Sequence, residues 1–367
     1  MSDYLSILWC LFVLKRMRLI FFEIEIKDPM KEVDILSFIH VAYPIFAITV
    51  LFSQALLLLL IFKNQTKLLR TMRIYLLNIC AAQVVTIISG YLTQCRMIPN
   101  RTTVAFVCTG ICTRVGRNSC FLIHLLRDAS SMVALFAIVH VFYYRYKILS
   151  HQKLTSPQIL RNFIIVHLPA LFCAICQFIN PSHHNAIVLE TRALHPSYIF
   201  EFNSVFGFSA LKSPAVKAST IIFTIVLFLN PLAALIYRNK IWGLLNEYEE
   251  YNSPRIKHAK SMITGLTIQT LIPSVCFVPL VVQFFLTQYS DAGVLILEYF
   301  NSFLVILPTL IDPILSIVFV IPFRRMFFKY LLAVRQCRFS ISKLSDDDIT
   351  SKGNRYSAVR AASRKTG

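Results

Sequence analysis

The sequence predicts an all-α, polytopic membrane protein whose body is a bundle of seven transmembrane helices. Three observations carry this expectation. First, apolar residues make up 56% of the chain and charged residues only 15%, against roughly 45–50% and about 25% in a soluble protein. Second, seven stretches are long and apolar enough to cross a hydrocarbon core, which takes about 20 residues. Third, the formal net charge of +19 gathers on one side of those stretches, as positive charge does beside a bilayer. The same numbers exclude other classes. Disorder needs low hydrophobicity. Ten Cys in 367 residues are too sparse for a disulfide-built module. A nucleic-acid surface does not require long apolar runs, so the expected partner of the basic charge is the lipid bilayer and not nucleic acid.

Residues 1–37 form a head. Tyr4–Leu14 is apolar but is followed by Lys15-Arg16-Met17-Arg18, and a signal peptide places its charge before the apolar core. The head therefore reads as an interfacial segment or an extension ahead of the first span. The spans follow as Phe38–Phe62, Ile74–Gln94, Ser119–Phe142, Ile159–Ile179, Ala215–Tyr237, Ser261–Leu286 and Val294–Ile321. Their continuous apolarity favours helices over a barrel, which would alternate. Val104–Thr113 is too short to cross and reads as loop or as a reentrant piece. Residues 38–321 form the transmembrane domain and residues 322–367 a basic tail. The tail opens with cations mixed among Phe323, Phe327, Phe328 and Leu331. That mixture suits a short amphipathic helix on an anionic leaflet, or a plain basic stop-transfer flank.

Orientation follows from the loops. The side shared by loops one, three and five and the tail holds 23 Lys/Arg, against 11 on the other side. Positive charge marks the cytoplasmic face, so the amino end is expected outside and the tail inside. Arg96, Arg101, Arg114 and Arg117 make loop two unexpectedly basic for an outer loop. Asn100-Arg101-Thr102 is a glycosylation sequon in that loop, with Asn100 as the candidate acceptor. Asn64-Gln65-Thr66 falls inside and should stay unmodified.

Span three carries His124, Arg127 and Asp128. Positions i and i+4 share a helix face, so Asp128 can pair with His124. Arg127 and Asp128 are adjacent and point about 100° apart. Bare charges in mid-membrane are costly. The group therefore reads as the polar floor of a ligand pocket or as a buried ion pair, with Glu298 of span seven as a further member. Loop three opens with Phe142-Tyr143-Tyr144-Arg145-Tyr146-Lys147. Rhodopsin-like receptors carry an Arg here, usually between an acid and a Tyr, as a latch that meets a G protein. Arg145 and Tyr146 fit that pattern, but Tyr144 stands in place of the acid. The plainer alternative is a snorkelling Arg in an aromatic belt. Span seven holds Asp312-Pro313, which resembles the Asn/Asp-Pro-x-x-Tyr motif of those receptors with Ser316 in place of Tyr. The pair reads as a hinge facing the bundle interior, or as a local cap on a proline kink. Pro169, Pro231, Pro273, Pro279 and Pro308 add kinks in spans four to seven.

Cys95, Cys108, Cys112 and Cys120 fall at the oxidising outer side and are candidates for disulfides. Many rhodopsin-like receptors tie the top of span three to the second outer loop. Here loop four has no Cys, which leaves a bridge within loop two or one from Cys120 to Cys176. Cys173 and Cys176, inside a span, read as buried small residues. No metal or other cofactor is expected.

Three blocks carry a family resemblance. They are Arg73-Ile74-Tyr75-Leu76-Leu77-Asn78, Gln94-Cys95-Arg96-Met97-Ile98-Pro99, and His140 to Leu149 with its Tyr-Tyr-Arg-Tyr core. Together with Pro308 to Arg325, they resemble the nematode serpentine chemoreceptors, most of all the Srd class within the Str-like superfamily. The resemblance spans about Phe38 to Tyr330. It implies a chemosensory G-protein-coupled receptor of sensory neurons in the plasma membrane, in a sensory cilium. Its implied partners are a small-molecule ligand and a heterotrimeric G protein. An enzyme is not expected. A ligand-gated channel or transporter is the alternative. An intramembrane hydrolase around His124 and Asp128 would need further metal ligands, and His167 offers no convincing set.

Overall fold

The computed structural model describes residues 32–63, 67–100, 102–150, 155–179, 184–196, 198, 204–208, 213–247, 254–290 and 295–332. The head before residue 32, the Asn64 triplet, Arg101 and the tail beyond residue 332 lie outside the described residues.

Among the described residues, seven helices long and apolar enough to cross a membrane form the body. They are α1 (Glu32–Lys63), α2 (Lys67–Thr93), α3 (Arg117–Leu149), α4 (Ser156–Phe178), α6 (Pro214–Glu247), α7 (Pro254–Ser290) and α8 (Leu295–Phe319). Each runs helical because hydrocarbon offers no partner for a backbone N–H or C=O, so the chain satisfies them internally. Residues such as Phe52, Leu171, Ile175, Ile221 and Phe228 are exposed on the outside of the bundle, as a lipid-facing surface requires. Residues 321–332 form a further helix, α9, after a break at Val320.

One end of the bundle is capped. The short strands β1 (Cys95–Pro99), β2 (Val104–Cys108) and β3 (Val205–Phe208) make an antiparallel sheet in the order β1-β2-β3. A small helix, α5 (His184–Leu194), packs on it. Val104–Thr113, expected as loop or reentrant piece, is strand β2 followed by a single 3-10 turn over Ile111–Arg114. Its alternation explains this. Ala105 and Val107 turn to one face, onto Ile187 and Val188 of α5. Phe106 turns to the other, towards α3. Gly110 allows the return, because a Cβ there would meet the Leu92 and Thr93 backbone.

The opposite, tail end is filled by a large hydrophobic cluster. Leu57 and Leu60 of α1, Met72 and Tyr75 of α2, Phe142 and Tyr144 of α3, Ile241 of α6 and Met262 of α7 are buried together. Phe323 of α9 is buried in the same cluster, while Arg324, Arg325 and Phe328 are exposed. The Phe142–Lys147 block, expected to open a loop, forms the last turns of α3, which runs to Leu149. Tyr144 and Phe142 are the reason: both bury side chains in this cluster only if the helix continues.

Several prolines remove helix hydrogen bonds, and neighbouring helices replace two of them. Pro313 leaves the Thr309 carbonyl without its helix donor, and Gln54 Nε2 of α1 donates to it at 3.0 Å. Pro231 does the same to Leu227, whose carbonyl accepts from Ser274 Oγ of α7 at 2.8 Å. The kinks thus double as interhelical ties.

Candidate ligand-binding and coupling site

Helix α3 lies against α2, α4, α6 and α7, so its polar residues stand at the centre of those four spans. His124 is fully buried beneath the cap. Phe106 of β2 and Phe206 of β3 set their rings 4.3 and 5.2 Å from the His124 ring centroid. Nε2 of His124 lies 3.4 Å from Asp128 Oδ2, the i,i+4 partner. Arg127 and Asp128 leave the helix in different directions, but the long Arg side chain folds back. Its Nε and Nη2 donate to Asp128 Oδ1 at 3.1 and 3.0 Å. Divergence of adjacent positions therefore does not keep the two charges apart.

The two residues face different spaces. Arg127 packs towards α1 and α2, where Gly90 makes room: a Cβ there would lie 3.7 Å from the Tyr43 hydroxyl and 3.8 Å from Arg127 Cδ. Asp128 faces α4 and α6 and lines a cavity of about 110 Å³ with Met132, Ala170, Cys173, Gln177 and Thr220.

Glu298 is not a member of this group. It stands at the start of α8, level with the cap, and meets Arg96 of β1. Arg96 Nε and Nη2 lie 2.8 and 2.7 Å from its Oε2. Tyr198 donates to Oε1 at 3.2 Å, and Arg96 donates to the Tyr299 hydroxyl at 3.0 Å. The guanidinium also sits 4.1 and 4.5 Å from the ring centroids of Tyr198 and Tyr299. Burial alone would lower the Arg96 pKa, but Glu298 and the two tyrosines carry it above the usual range. Tyr198 is pushed up to about 12 by burial and then by Glu298. Sequence reasoning missed Arg96 as a site residue. The available signal was its excess charge in loop two set against a lone carboxylate at the start of span seven.

The four outer cysteines pair as Cys95–Cys108, which closes the β1-β2 hairpin, and Cys112–Cys120, which ties the 3-10 turn to the first turn of α3. Cys176 forms no disulfide, so the Cys120–Cys176 option is not taken. Asn100 is fully buried. Its Nδ2 donates to Thr103 Oγ1 at 3.0 Å and to Thr191 Oγ1 at 2.8 Å. Thr102 gives its N–H and hydroxyl to Glu190. A glycan on Asn100 Nδ2 would displace one of these bonds and has no open path. The sequon reading does not fit the folded cap, because Asn100 and Thr102 are both engaged in joining the hairpin to α5.

A second polar group lies below. Asp312 is buried, and Gln83 of α2 donates to its Oδ2. Gln54 donates to Gln83 Oε1 at 2.7 Å. Gln269 of α7 donates to the Asp312 carbonyl and to Ser316 Oγ, both at 2.9 Å. Four helices thus meet around Asp312-Pro313. A path runs from the first group towards this one: Ser130 Oγ donates to the Arg127 carbonyl at 2.9 Å and shares a 2.8 Å bond with Thr86 Oγ1, and one turn of the α2 backbone separates Thr86 from Gln83. Sequence reasoning missed Gln54, Gln83 and Gln269. Three glutamines in apolar runs were the signal.

Arg145 is buried at the tail end, with Nη2 donating to Met262 Sδ of α7 at 2.8 Å. Among the described residues it has no ion-pair partner. Tyr146 packs its ring 6.0 Å from Tyr237 of α6, and Lys240 lies 5.7 Å over it.

Comparison with known proteins fits this geometry. The pattern of the family described as "Serpentine type 7TM GPCR chemoreceptor Srd" matches residues 39–329. Serpentine receptor class delta-50 of Caenorhabditis elegans is 34% identical over 304 residues, covering 80% of this chain and 89% of the relative. Serpentine receptor class delta-51 of the same organism is 32% identical, covering 79% and 87%. Among solved structures, squid rhodopsin superposes with a TM-score of 0.58 at 12% identity, covering 84% of this chain and 89% of that one. That likeness shows the fold: a seven-helix, rhodopsin-like receptor bundle. The chain is a multi-pass membrane protein and belongs to the Srd family of serpentine seven-transmembrane G-protein-coupled chemoreceptors.

Proposed function

We propose that the protein is a chemosensory receptor of the plasma membrane, placed in a sensory cilium. Its amino end and cap lie outside, and residues 322–367 form a cytoplasmic tail. A small-molecule cue binds in the outer half of residues 38–321, at the group around Asp128. The tail end, with Arg145 and Tyr146, engages a heterotrimeric G protein, and Asp312-Pro313 serves as the hinge between them. The observation that carries this reading is the polar path from Asp128 and Arg127 through Ser130 and Thr86 to the Gln83–Asp312–Gln269 group. It ends on α7, the helix that holds Arg145 through Met262. A cue that prefers one arrangement of this path shifts the population toward it. The channel or transporter reading has less support, since the hydrophobic cluster fills the tail half.

Two experiments test the proposal. Tags at each terminus, read with and without permeabilisation, should show the amino end outside; a tail reached from outside would overturn the orientation. Cells expressing the chain, screened with volatile and soluble cues, should give a second-messenger response that needs a G protein. A cue-driven membrane current without any G protein would sink the receptor reading.

A further inference from the structure

We infer that the cue's site is the lateral cavity between α3, α4 and α6, and that it takes small neutral molecules bearing one hydrogen-bond donor, which arrive through the bilayer. The inference rests on the reading above, that the chain is a small-molecule receptor.

The route from the capped face is shut. Phe106 and Phe206 stack at 5.5 Å and lie on His124, with Phe208 and Phe121 packed around them. Two disulfides and the Arg96–Glu298 pair hold the cap in place. The cavity beside α4 and α6 is different. Its neighbours on those helices, such as Phe172, Ile175, Phe178 and Ile221, are exposed on the apolar surface of the bundle. Its mouth therefore faces hydrocarbon, which concentrates molecules with an apolar body.

Size limits the occupant. An apolar cavity of about 150 Å³ holds benzene, so about 110 Å³ suits roughly four to six non-hydrogen atoms. Chemistry limits it further. A carboxylate accepts and cannot donate, and that of Asp128 lines the cavity. Its charge is already met by Arg127 at 3.0 Å, so a cation would be repelled by the guanidinium and gain little for its own desolvation, and an anion would be repelled by the carboxylate. A neutral hydroxyl or N–H can bond Oδ2, which Arg127 leaves open and His124 Nε2 flanks at 3.4 Å, with its alkyl body against Met132, Ala170 and Phe223. That bond draws on the carboxylate that holds Arg127, and Arg127 is the start of the path to Asp312.

The test is ligand-observed saturation-transfer NMR on the full chain in lipid nanodiscs, with empty nanodiscs as blank. The probes are 1-butanol and 1-pentanol, with butylammonium, butyrate and 1-decanol as comparators. The two short alcohols should bind and the comparators should not. Ala174→Leu, which fills the cavity without touching Asp128, should cut alcohol binding at least ten-fold; Thr220→Leu should do the same from α6, and both are read at equal far-UV helicity. Equal alcohol binding by wild type and both variants, or no alcohol binding by wild type, would overturn the inference. In the second case, G-protein nucleotide exchange driven by another compound class would leave the receptor reading standing. Alcohol binding lost in the variants but never followed by exchange would keep the cavity assignment and count against the receptor reading.

Discussion

Removing Glu298 tests how the cap is held to the bundle. In Glu298→Gln, the Arg96 guanidinium, which is 4% exposed, loses its counter-charge. Breaking a buried pair from one side costs about 3–5 kcal/mol, because the remaining charge stays buried and uncompensated. The Tyr198 and Tyr299 rings flank Arg96 with or without the carboxylate, so their cation–π contribution does not enter the difference. A loss of about 3–5 kcal/mol follows. Arg96→Met alone should cost a similar amount, since it leaves a carboxylate with no exposure. The double variant Arg96→Met with Glu298→Leu should be milder than either single change, since it leaves no orphaned charge. The assay is thermal unfolding of the full chain in nanodiscs, with hydrogen exchange at residues 95–108 reporting the cap. Single-variant losses below about 1 kcal/mol that simply add in the double variant would refute the reasoning, since coupled neighbours do not add.

Three further outcomes are expected. Gln54→Leu leaves the Thr309 carbonyl and Gln83 Oε1 without the donor they share; unfolding should show a loss of about 1–3 kcal/mol, and Gln54→Met, equally unable to donate, should not restore it. Gly265→Ala puts a Cβ 2.5 Å from Phe319 Cβ; α7 and α8 must separate there, a loss of about 1–3 kcal/mol by overpacking, visible as a wider distance between spin labels on the two helices. His184 in α5 is lowered to about 4 by burial and then by Arg117. Its neutral form is the one the fold accepts, so its stabilisation is complete above about pH 6.5 and declines as pH falls towards 4. Cap protection in hydrogen exchange should fall over that window, and less so in His184→Phe.

The seven spans were readable in the sequence because each is an apolar run of membrane length, a signal that no tertiary contact can hide. The sheet was not. β2 and β3 are five and four residues long and come from loops almost a hundred residues apart, so only their pairing makes them strands. The helical run from Phe142 to Leu149 was hidden for a different reason: its cations look like the end of a span, while the buried faces of Phe142, Tyr144 and Arg145 keep it helical. Among site residues, the i,i+4 spacing of His124 and Asp128 announced their approach. Glu298 was assigned to the wrong group, because a carboxylate's partner across 202 residues is set by how the cap folds over α8. The Asn100 triplet misled in the same way, since a three-residue pattern says nothing about burial.

The most direct measurement is nucleotide exchange on a purified heterotrimeric G protein, with the full chain in nanodiscs and an activating cue from the screen. Wild type should accelerate exchange only when the cue is present. Arg145→Ala should abolish the acceleration while cue binding, read separately, stays within two-fold or so. Cue-dependent exchange that is equally fast in Arg145→Ala would contradict the coupling role. Cue binding by wild type that never accelerates exchange on any heterotrimer, while a current flows through the same bilayer, would contradict the receptor reading itself.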